Sequence, residues 1–246
     1  MRPKALFFVV LILQSIAAFS QDKRTFLIPD FKNIKKETND RNSSNYYPRL
    51  LARYMANDTT LSTDEMRMLY YGTFFNDIPH DTLYESLHFT DSIRVLHTKT
   101  SYTDDDRRNL VRYYLADYKN NPFDLVALNA LYSLYTHLKD PLAAVYDFKL
   151  GKLVRIIYET GDGTSVETAF YINSVSDEYA MLNIMGYNSN GSQTLVANKC
   201  DYLEVAGNTD HIKGFYFNVE QIFEGYKKMF NDVDLKKSLN EMNKKK

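Results

Sequence analysis

The chain has 246 residues, 44% of them hydrophobic, and a formal net charge of −1. This length builds one large domain or two small ones with a sizeable core. Apart from a lysine tip at 244–246, no basic stripe is present to track a phosphate backbone, which disfavours nucleic-acid binding. The single cysteine, Cys200, rules out an intrachain disulfide, so the fold must rely on its core. We expect Cys200 to be a buried, unreactive thiol.

The first twenty residues have the layout of a secretory signal peptide. Two basic residues precede an unbroken apolar run over 5–13, and the small residues Ala18 and Ser20 follow it. The run is shorter than the roughly 20 residues that span a bilayer. We therefore predict cleavage between Ser20 and Gln21, giving an exported protein, periplasmic or secreted, without an integral membrane segment. Loss of the two basic residues changes the net charge from −1 to −3.

Residues 21–160 are predicted to form a helical region. Apolar residues recur there at spacings of three and four, as on one face of a helix. The segments are 46–57, 63–71, 85–97, 104–119, 125–138 and 142–157. Ser62 and Glu65 form a capping box before the second of them. Thr103 is a good N-cap, and the three acids after it are interpreted as complements of the helix dipole rather than as metal ligands.

The helical pair around the break at 139–141 is similar to a tetratricopeptide repeat. The matching residues are Asn121-Pro122, Ala127-Leu128, Tyr135, Lys139-Asp140-Pro141 and Ala143-Ala144. Lys139 stands where the repeat usually has a glycine. Stable arrays of this kind need about three repeats, and at most two can be argued here. The resemblance therefore implies a repeat-like helical layer rather than a complete solenoid.

The sequence pattern changes at 161–165, where Gly161 and Gly163 enclose Asp162. This loop lacks the lysine of a phosphate-binding loop, so we interpret it as a helix-to-strand turn with positive φ at its glycines. Alternation and turn signals follow. The predicted strands are 170–175, 179–184, 194–196, 201–205 and 214–219, with turns at 188–191 and 207–208 and a closing helix over 221–242.

These segments predict an α+β fold. An N-terminal helical hairpin layer over 21–160 precedes a β-rich region over 161–246, which consists of a small antiparallel sheet and a C-terminal helix. Alternatively, residues 21–246 form one integrated domain.

The candidate ligand-binding residues are polar groups at the openings of these β elements. They are Asp162, Thr164, Glu178, Tyr179 and Asp201. If the strands 170–175, 179–184 and 201–205 are neighbours, their acids gather at one end of the sheet. The alternative is that each acid separately binds the amides of its own turn.

No catalytic, cofactor-binding or metal-binding residue is predicted. The five histidines are scattered, and no pair has the spacing of a zinc protease. The nucleophile elbow of serine hydrolases does not occur either. The predicted partner is a protein or peptide, and a glycan is the alternative.

Three Asp-hydroxyl sites match a short acceptor pattern for O-glycosylation known from some Gram-negative gut bacteria. The acceptor residues are Thr59, Thr82 and Ser92. All three lie in the helical half near predicted turns, so we treat them as possible sites of modification.

Several short motifs in a fixed order extend over the mature chain. They are 47–54, 58–61, 69–72, 121–124, 160–163, 167–170, 177–179 and 200–203. In this order the chain resembles a family of exported bacterial proteins of unknown function from Gram-negative, gut-type anaerobes. The resemblance implies export and a single unit, and it supplies no catalytic residue.

The leading functional hypothesis is therefore a non-catalytic interaction module for a protein or peptide. A glycan- or envelope-binding module is the first alternative, since the chain has 20 tyrosines, although it has no tryptophan. It predicts exposed tyrosines clustered in one cleft. A hydrolase is the second alternative, and it predicts convergent acids, or His211 beside a nucleophile, in a deep pocket.

Overall fold

The computed structural model describes residues 25–76, 94–96 and 98–227. The predicted cleavage site and the acceptor residues Thr82 and Ser92 lie outside this part. Of the predicted helix 85–97, only residues 94–96 are described, and they are helical. The helices are α1 (Phe31–Asn39), α2 (Tyr47–Met55), α3 (Thr63–Gly72), α4 (Asp104–Asn120), α5 (Leu125–His137), α6 (Leu142–Tyr158) and α7 (Val175–Ile184). The strands are β1 (Phe170–Tyr171), β2 (Ser189–Val196), β3 (Cys200–Val205) and β4 (Gly214–Asn218). A 3-10 turn over Thr73–Phe75 follows α3, and residues 220–227 form a closing helix, α8.

The predicted caps start the helices. Ser62 and Glu65 make both bonds of a capping box at the start of α3, and Thr103 and Asp106 do the same for α4. The Asp124 carboxylate accepts the second and third amides of α5. These side chains satisfy backbone donors that a helix leaves without partners in its first turn.

Helices α5 and α6 form the hairpin that the sequence predicts. They pack side by side across a tight turn, in which Lys139 has φ 55°. This is the left-handed region that glycine occupies most easily. The lysine therefore takes up the conformation for which a repeat normally uses glycine.

The fold is α+β, as predicted, and its sheet is mixed. The strand order is β1-β4-β3-β2, with β2 at one edge and β1 at the other. β4 pairs antiparallel with β3 and parallel with β1, so the prediction of a purely antiparallel sheet is corrected at one edge. The predicted strand 170–175 shortens to two residues, because α7 begins at Val175.

The predicted strand 179–184 is wrong, since these residues belong to α7. Ser174 caps this helix by accepting the amide of Asp177, and two acids occupy its first turn. Ala180, Met181 and Leu182 are buried in succession. A short apolar run of this kind looks the same in a buried strand and in a buried helix. Residues 188–191, predicted as a turn, mostly enter β2, where the pairing with β3 shifts register after Ser189.

One cluster of buried side chains extends through the helices and the sheet. It includes Leu50, Tyr70, Leu128 and Phe217, each of them fully buried. No helix of the described ranges is long and apolar enough to cross a membrane.

A buried lysine, Lys149 of α6, lies inside the helical part of this core. Its Nζ lies 4.4 Å from the centre of the Tyr54 ring and donates to Tyr118 Oη and Asn57 Oδ1, each at 2.6 Å. Burial lowers the pKa of Lys149 to about 8. The tyrosines and the asparagine take the place of water around a cation that has lost its hydration.

The two glycines of the 161–165 loop serve different purposes. Positive φ is confirmed for Gly163, at 69°, but the prediction is wrong for Gly161, which does not have positive φ and is required instead for a close approach of the backbone. A Cβ at Gly161 would lie 2.0 Å from the Thr168 carbonyl oxygen.

Gly161→Ala is expected to lower the free energy of unfolding by about 1–3 kcal/mol, because that overlap forces the backbone to shift. Gly151→Ala is the control, since it lies within α6 and a Cβ there has nothing within 4 Å. It is expected to raise the free energy by about 0.5–1 kcal/mol through its helix propensity. Urea unfolding of both variants measures the difference. Equal stabilities would contradict the role assigned to Gly161.

Candidate functional site

A cleft of about 580 Å³ opens where the helical part meets the sheet. Four segments line it: the end of α3 with its 3-10 turn, the α4–α5 turn, the link from β1 into α7, and α8. The lining residues are Thr73, Phe74, Asn120, Asn121, Phe123, Asn173, Ser174, Asp177, Gln221, Ile222, Gly225 and Tyr226. The walls are aromatic and aliphatic, and the polar groups come from the two turns and from the first turn of α7.

Three oxygen atoms in this cleft have no hydrogen-bond partner within the described part of the chain. They are Asn120 Oδ1, Asn173 Oδ1 and Asp177 Oδ1, and all three are buried. A buried acceptor without a partner costs about 1–3 kcal/mol. Three of the six buried side-chain atoms without a partner in the described residues thus belong to residues of this cleft, and the other three are Tyr47 Oη, Arg67 Nε and Glu178 Oε1.

A hydrogen-bond network fixes two of these groups. Tyr70 Oη donates to Asp177 Oδ2 at 2.8 Å and accepts the backbone amide of Asn173 at 3.0 Å. Asn173 Nδ2 donates to the Tyr70 carbonyl and, at 2.9 Å, to Thr73 Oγ1. The Asn173 amide is thereby oriented with its oxygen free, and Tyr70 positions the Asp177 carboxylate.

Burial controls the charge of Asp177, which is 1% exposed. It raises the pKa of this carboxyl to about 7, and the negative charge of Asp124 adds to the rise. The hydrogen bond from the Tyr70 hydroxyl acts in the opposite direction, as do the backbone amides of Leu125 and Asn173, which lie near the carboxyl without forming a hydrogen bond of good geometry to it. Near neutral pH the carboxyl is therefore poised between its neutral and its charged form.

Three of the five predicted site residues come together at a second place. Gln193 of β2 donates from Nε2 to Asp201 Oδ2 at 2.6 Å and to Glu178 Oε2 at 3.4 Å. The Tyr179 hydroxyl donates to the oxygen of the same amide at 3.0 Å. Glu178, Tyr179 and Asp201 thus meet through Gln193, although Glu178 and Tyr179 lie on a helix and not on the predicted strand.

The proton in this cluster is held by Glu178, which is fully buried. Burial raises its pKa to about 9, and the neighbouring Asp201 and Asp177 add to the rise. Two neighbouring carboxyl groups cannot both be charged at moderate cost, so Glu178 is the neutral member of the pair. Its Oε2 accepts from Gln193, and its Oε1 has no hydrogen-bond partner within the described residues. This pair explains why the acid can be buried, and it is not part of the cleft lining.

The other two predicted residues remain in the 161–165 loop. Asp162 Oδ1 accepts the amide of Thr164 at 3.0 Å, the Thr164 hydroxyl at 2.8 Å and the Thr168 hydroxyl at 2.7 Å. These bonds hold the pKa of Asp162 below its usual value despite partial burial. Asp162 therefore organises its own turn, as the alternative interpretation predicts, and it does not join the other acids.

Sequence patterns do not identify the cleft residues Asn120, Asn173 and Asp177, nor Gln193. The pattern marks Asn120-Asn121 only as the end of a helix, and 170–175 as a strand. A cap at Ser174 followed by two acids in the first turn is the signal for α7. This signal predicts that Asp177 lies in the first turn of α7 and that Asn173 comes just before its N-cap.

The described residues contain no group of three or more His, Cys, Asp or Glu side chains placed to hold a metal ion. Cys200 is a buried, free thiol, and burial raises its pKa to about 11. His211 lines a different cavity, together with Tyr202, Glu204 and Lys213. Thr59 lies at an exposed turn, and its modification remains a prediction.

Together these features define an α+β domain with an acceptor-lined cleft between its helices and its mixed sheet. The chain belongs to the family described as a domain of unknown function (DUF4919), which matches residues 32–228. No curated protein and no solved structure matches the chain.

Proposed function

We propose that this chain is an exported binding protein that recognises a peptide segment in the cleft. The observation that carries the proposal is the set of three buried acceptors without partners, placed between apolar walls. A peptide supplies N–H donors for such acceptors and apolar side chains for such walls. Sites of this size typically combine a few fixed polar groups with an apolar lining.

Export is supported by the layout of residues 1–20, with a basic start, an apolar run and small residues before Gln21. Mass analysis of the protein from the envelope of a Gram-negative host tests this part. An intact Met1 on that material would overturn it.

A glycan is the second candidate, because sugar hydroxyls are also donors and aromatic rings stack on sugars. This candidate requires exposed tyrosines in the cleft. Three tyrosines of the described residues stand among the exposed large hydrophobic residues, namely Tyr158, Tyr179 and Tyr226. Only Tyr226 lines the cleft, so the peptide is favoured.

A blocking variant tests the proposal. Gly225 of α8 lines the cleft, and a Cβ at this position would have nothing within 4 Å. Gly225→Phe should therefore fill the cleft without disturbing the fold. Gly151→Phe is the matched control, because it is also an exposed helical glycine with open space around it.

The measurement is affinity selection from a library of synthetic peptides on the full chain, followed by titration calorimetry with the selected sequences. Peptides that bind the unmodified chain and Gly151→Phe, but not Gly225→Phe, support the proposal. Peptides that bind all three equally, or the absence of any selected peptide, would overturn it.

A further inference from the structure

We propose that the cleft binds a primary ammonium group on an apolar ligand, with Asp177, Asn120 and Asn173 as its acceptors. The inference rests on the proposed peptide-binding function and names the chemical group that the cleft recognises. The peptide amino terminus and the lysine side chain are the two sources of this group.

Donors and acceptors match in number. An ammonium group has three N–H donors and no acceptor, and three residues that line the cleft each carry one buried side-chain oxygen without a partner in the described part of the chain. Asn173 cannot turn its NH₂ group toward the ligand, because that group is held by the Tyr70 carbonyl and by Thr73 Oγ1. The oxygen is therefore the atom offered to a ligand, and a ligand with acceptors alone would not be held.

The described lining of the cleft lacks a positive charge that could balance its carboxyl group. None of the residues that line the cleft in the described part is a lysine or an arginine, and Asp177 is their one carboxyl group. The groups that face Asp177 are the hydroxyls of Tyr70 and Tyr71, the amides of Leu125 and Asn173, and the carboxyls of Asp124 and Glu178. No cation stands among them, so a cationic ligand would supply the missing counter-charge.

The surroundings of the acceptors are apolar. Phe74, Phe123, Ile222 and Tyr226 provide apolar surface around them. Aromatic faces attract cations, and apolar walls strengthen a charged hydrogen bond by excluding water. The ligand is therefore an ammonium group with an apolar chain beside it, such as a peptide that begins with phenylalanine.

The charge of Asp177 supplies a signature in pH. With the pKa of its carboxyl at about 7, only part of the protein carries the carboxylate near neutral pH. A bound cation favours that form. Affinity for an ammonium probe should then rise about tenfold from about pH 6 to about pH 8. The probe is 2-phenylethylamine, whose amine stays protonated through this range as a lysine side chain does.

The experiment uses the full chain and titration by calorimetry or by NMR. The probes are 2-phenylethylamine, its N-acetyl derivative, Phe-Ala-Ala-amide, its N-acetyl form, and N-acetyl-Lys-Ala-Ala-amide. Acetylation removes the charge and two donors, and it is expected to weaken binding of the first amine and of the first peptide by about tenfold or more. Binding of the lysine peptide alone would assign the ammonium to a side chain, and it would support the inference.

The variants are Asp177→Asn and Glu178→Gln, two neighbouring carboxyl-to-amide changes. Asp177→Asn is expected to weaken the binding of 2-phenylethylamine about tenfold or more and to remove its pH dependence. Glu178 lies outside the cleft, and with a pKa of about 9 it is already neutral over the range tested, so Glu178→Gln should stay within about twofold. Should Asp177→Asn not fold, Asn120→Ala serves in its place, with weaker binding expected and the pH dependence retained.

The outcomes separate the two proposals. Peptides that bind in the cleft equally well with free and acetylated ends, and without lysine, overturn the ammonium inference and leave the proposed function standing. The absence of any peptide in the cleft overturns both. Equal binding of 2-phenylethylamine to the unmodified chain and to both Asp177→Asn and Asn120→Ala would also overturn the inference.

Discussion

Glu178→Gln is expected to make the protein increasingly more stable than the unmodified chain as the pH rises from about 5 to about 9. The carboxyl of Glu178 has a pKa of 4.5 as its ordinary value and of about 9 in the folded state. Between these values the folded state binds one proton more than the unfolded state. The free energy of unfolding therefore falls as pH rises, by about 1.4 kcal/mol per pH unit.

The glutamine removes this loss because it keeps the shape and the donor of the protonated acid without its charge. Urea unfolding at about pH 5.5, 7 and 8.5 measures the difference between variant and parent. Lys149, with a pKa of about 8, changes stability in the opposite direction above that pH. It is present in both proteins and cancels in the difference.

Glu204→Gln is the control, since the same chemical change is made on β3, where Asn190 meets the carboxylate at the surface. The difference in free energy of unfolding between Glu204→Gln and the parent should stay constant as the pH changes. A constant difference between Glu178→Gln and the parent across this range would contradict a proton held by Glu178 in the folded state.

Tyr70→Phe is expected to lower the free energy of unfolding by about 2–4 kcal/mol. The change removes the donor to Asp177 Oδ2 and the acceptor of the Asn173 amide. Both groups are then buried with one partner fewer, at about 1–3 kcal/mol each. The ring itself is fully buried and its packing is retained.

Tyr71→Phe is the matched control for this change. Tyr71 is also fully buried and next in the same helix, but its hydroxyl makes a single bond, to the Tyr171 carbonyl at 3.0 Å. A loss of about 0.5–1.5 kcal/mol is expected for it. Urea unfolding measures the loss of stability in both variants. A loss for Tyr70→Phe no larger than that for Tyr71→Phe would contradict the bridging role of Tyr70.

The helical half could be predicted because its signals are local. The capping boxes at Ser62 and Thr103, and the break at Lys139, depend on residues a few positions apart. Such contacts form within one or two turns of chain and leave their pattern in the sequence. The predicted helix starts there agree with the structure.

The cleft could not be predicted because its parts are far apart in the chain. Tyr70 and Asp177 meet across 107 positions, and Asn120 arrives from a third segment. The segment around α7 added a second difficulty, because its buried run has no helical amphipathicity. Glu178 and Asp201 were expected to meet only if three predicted strands were neighbours. They do meet, but Glu178 lies on α7 instead of a strand, and Gln193, which joins them, carries no recognisable motif.

The short strand β1 has a consequence for the order of folding. Its parallel partner is β4, 47 positions further along the chain, since Phe170 pairs with Phe217. The same stretch leads into Asn173 and Asp177, which satisfy Tyr70 of α3. Contacts between segments so distant in sequence close late and slow the folding of a domain. The bonds of Tyr70 therefore wait for residues 173 and 177 to be synthesised, and the pairing of β1 waits for β4.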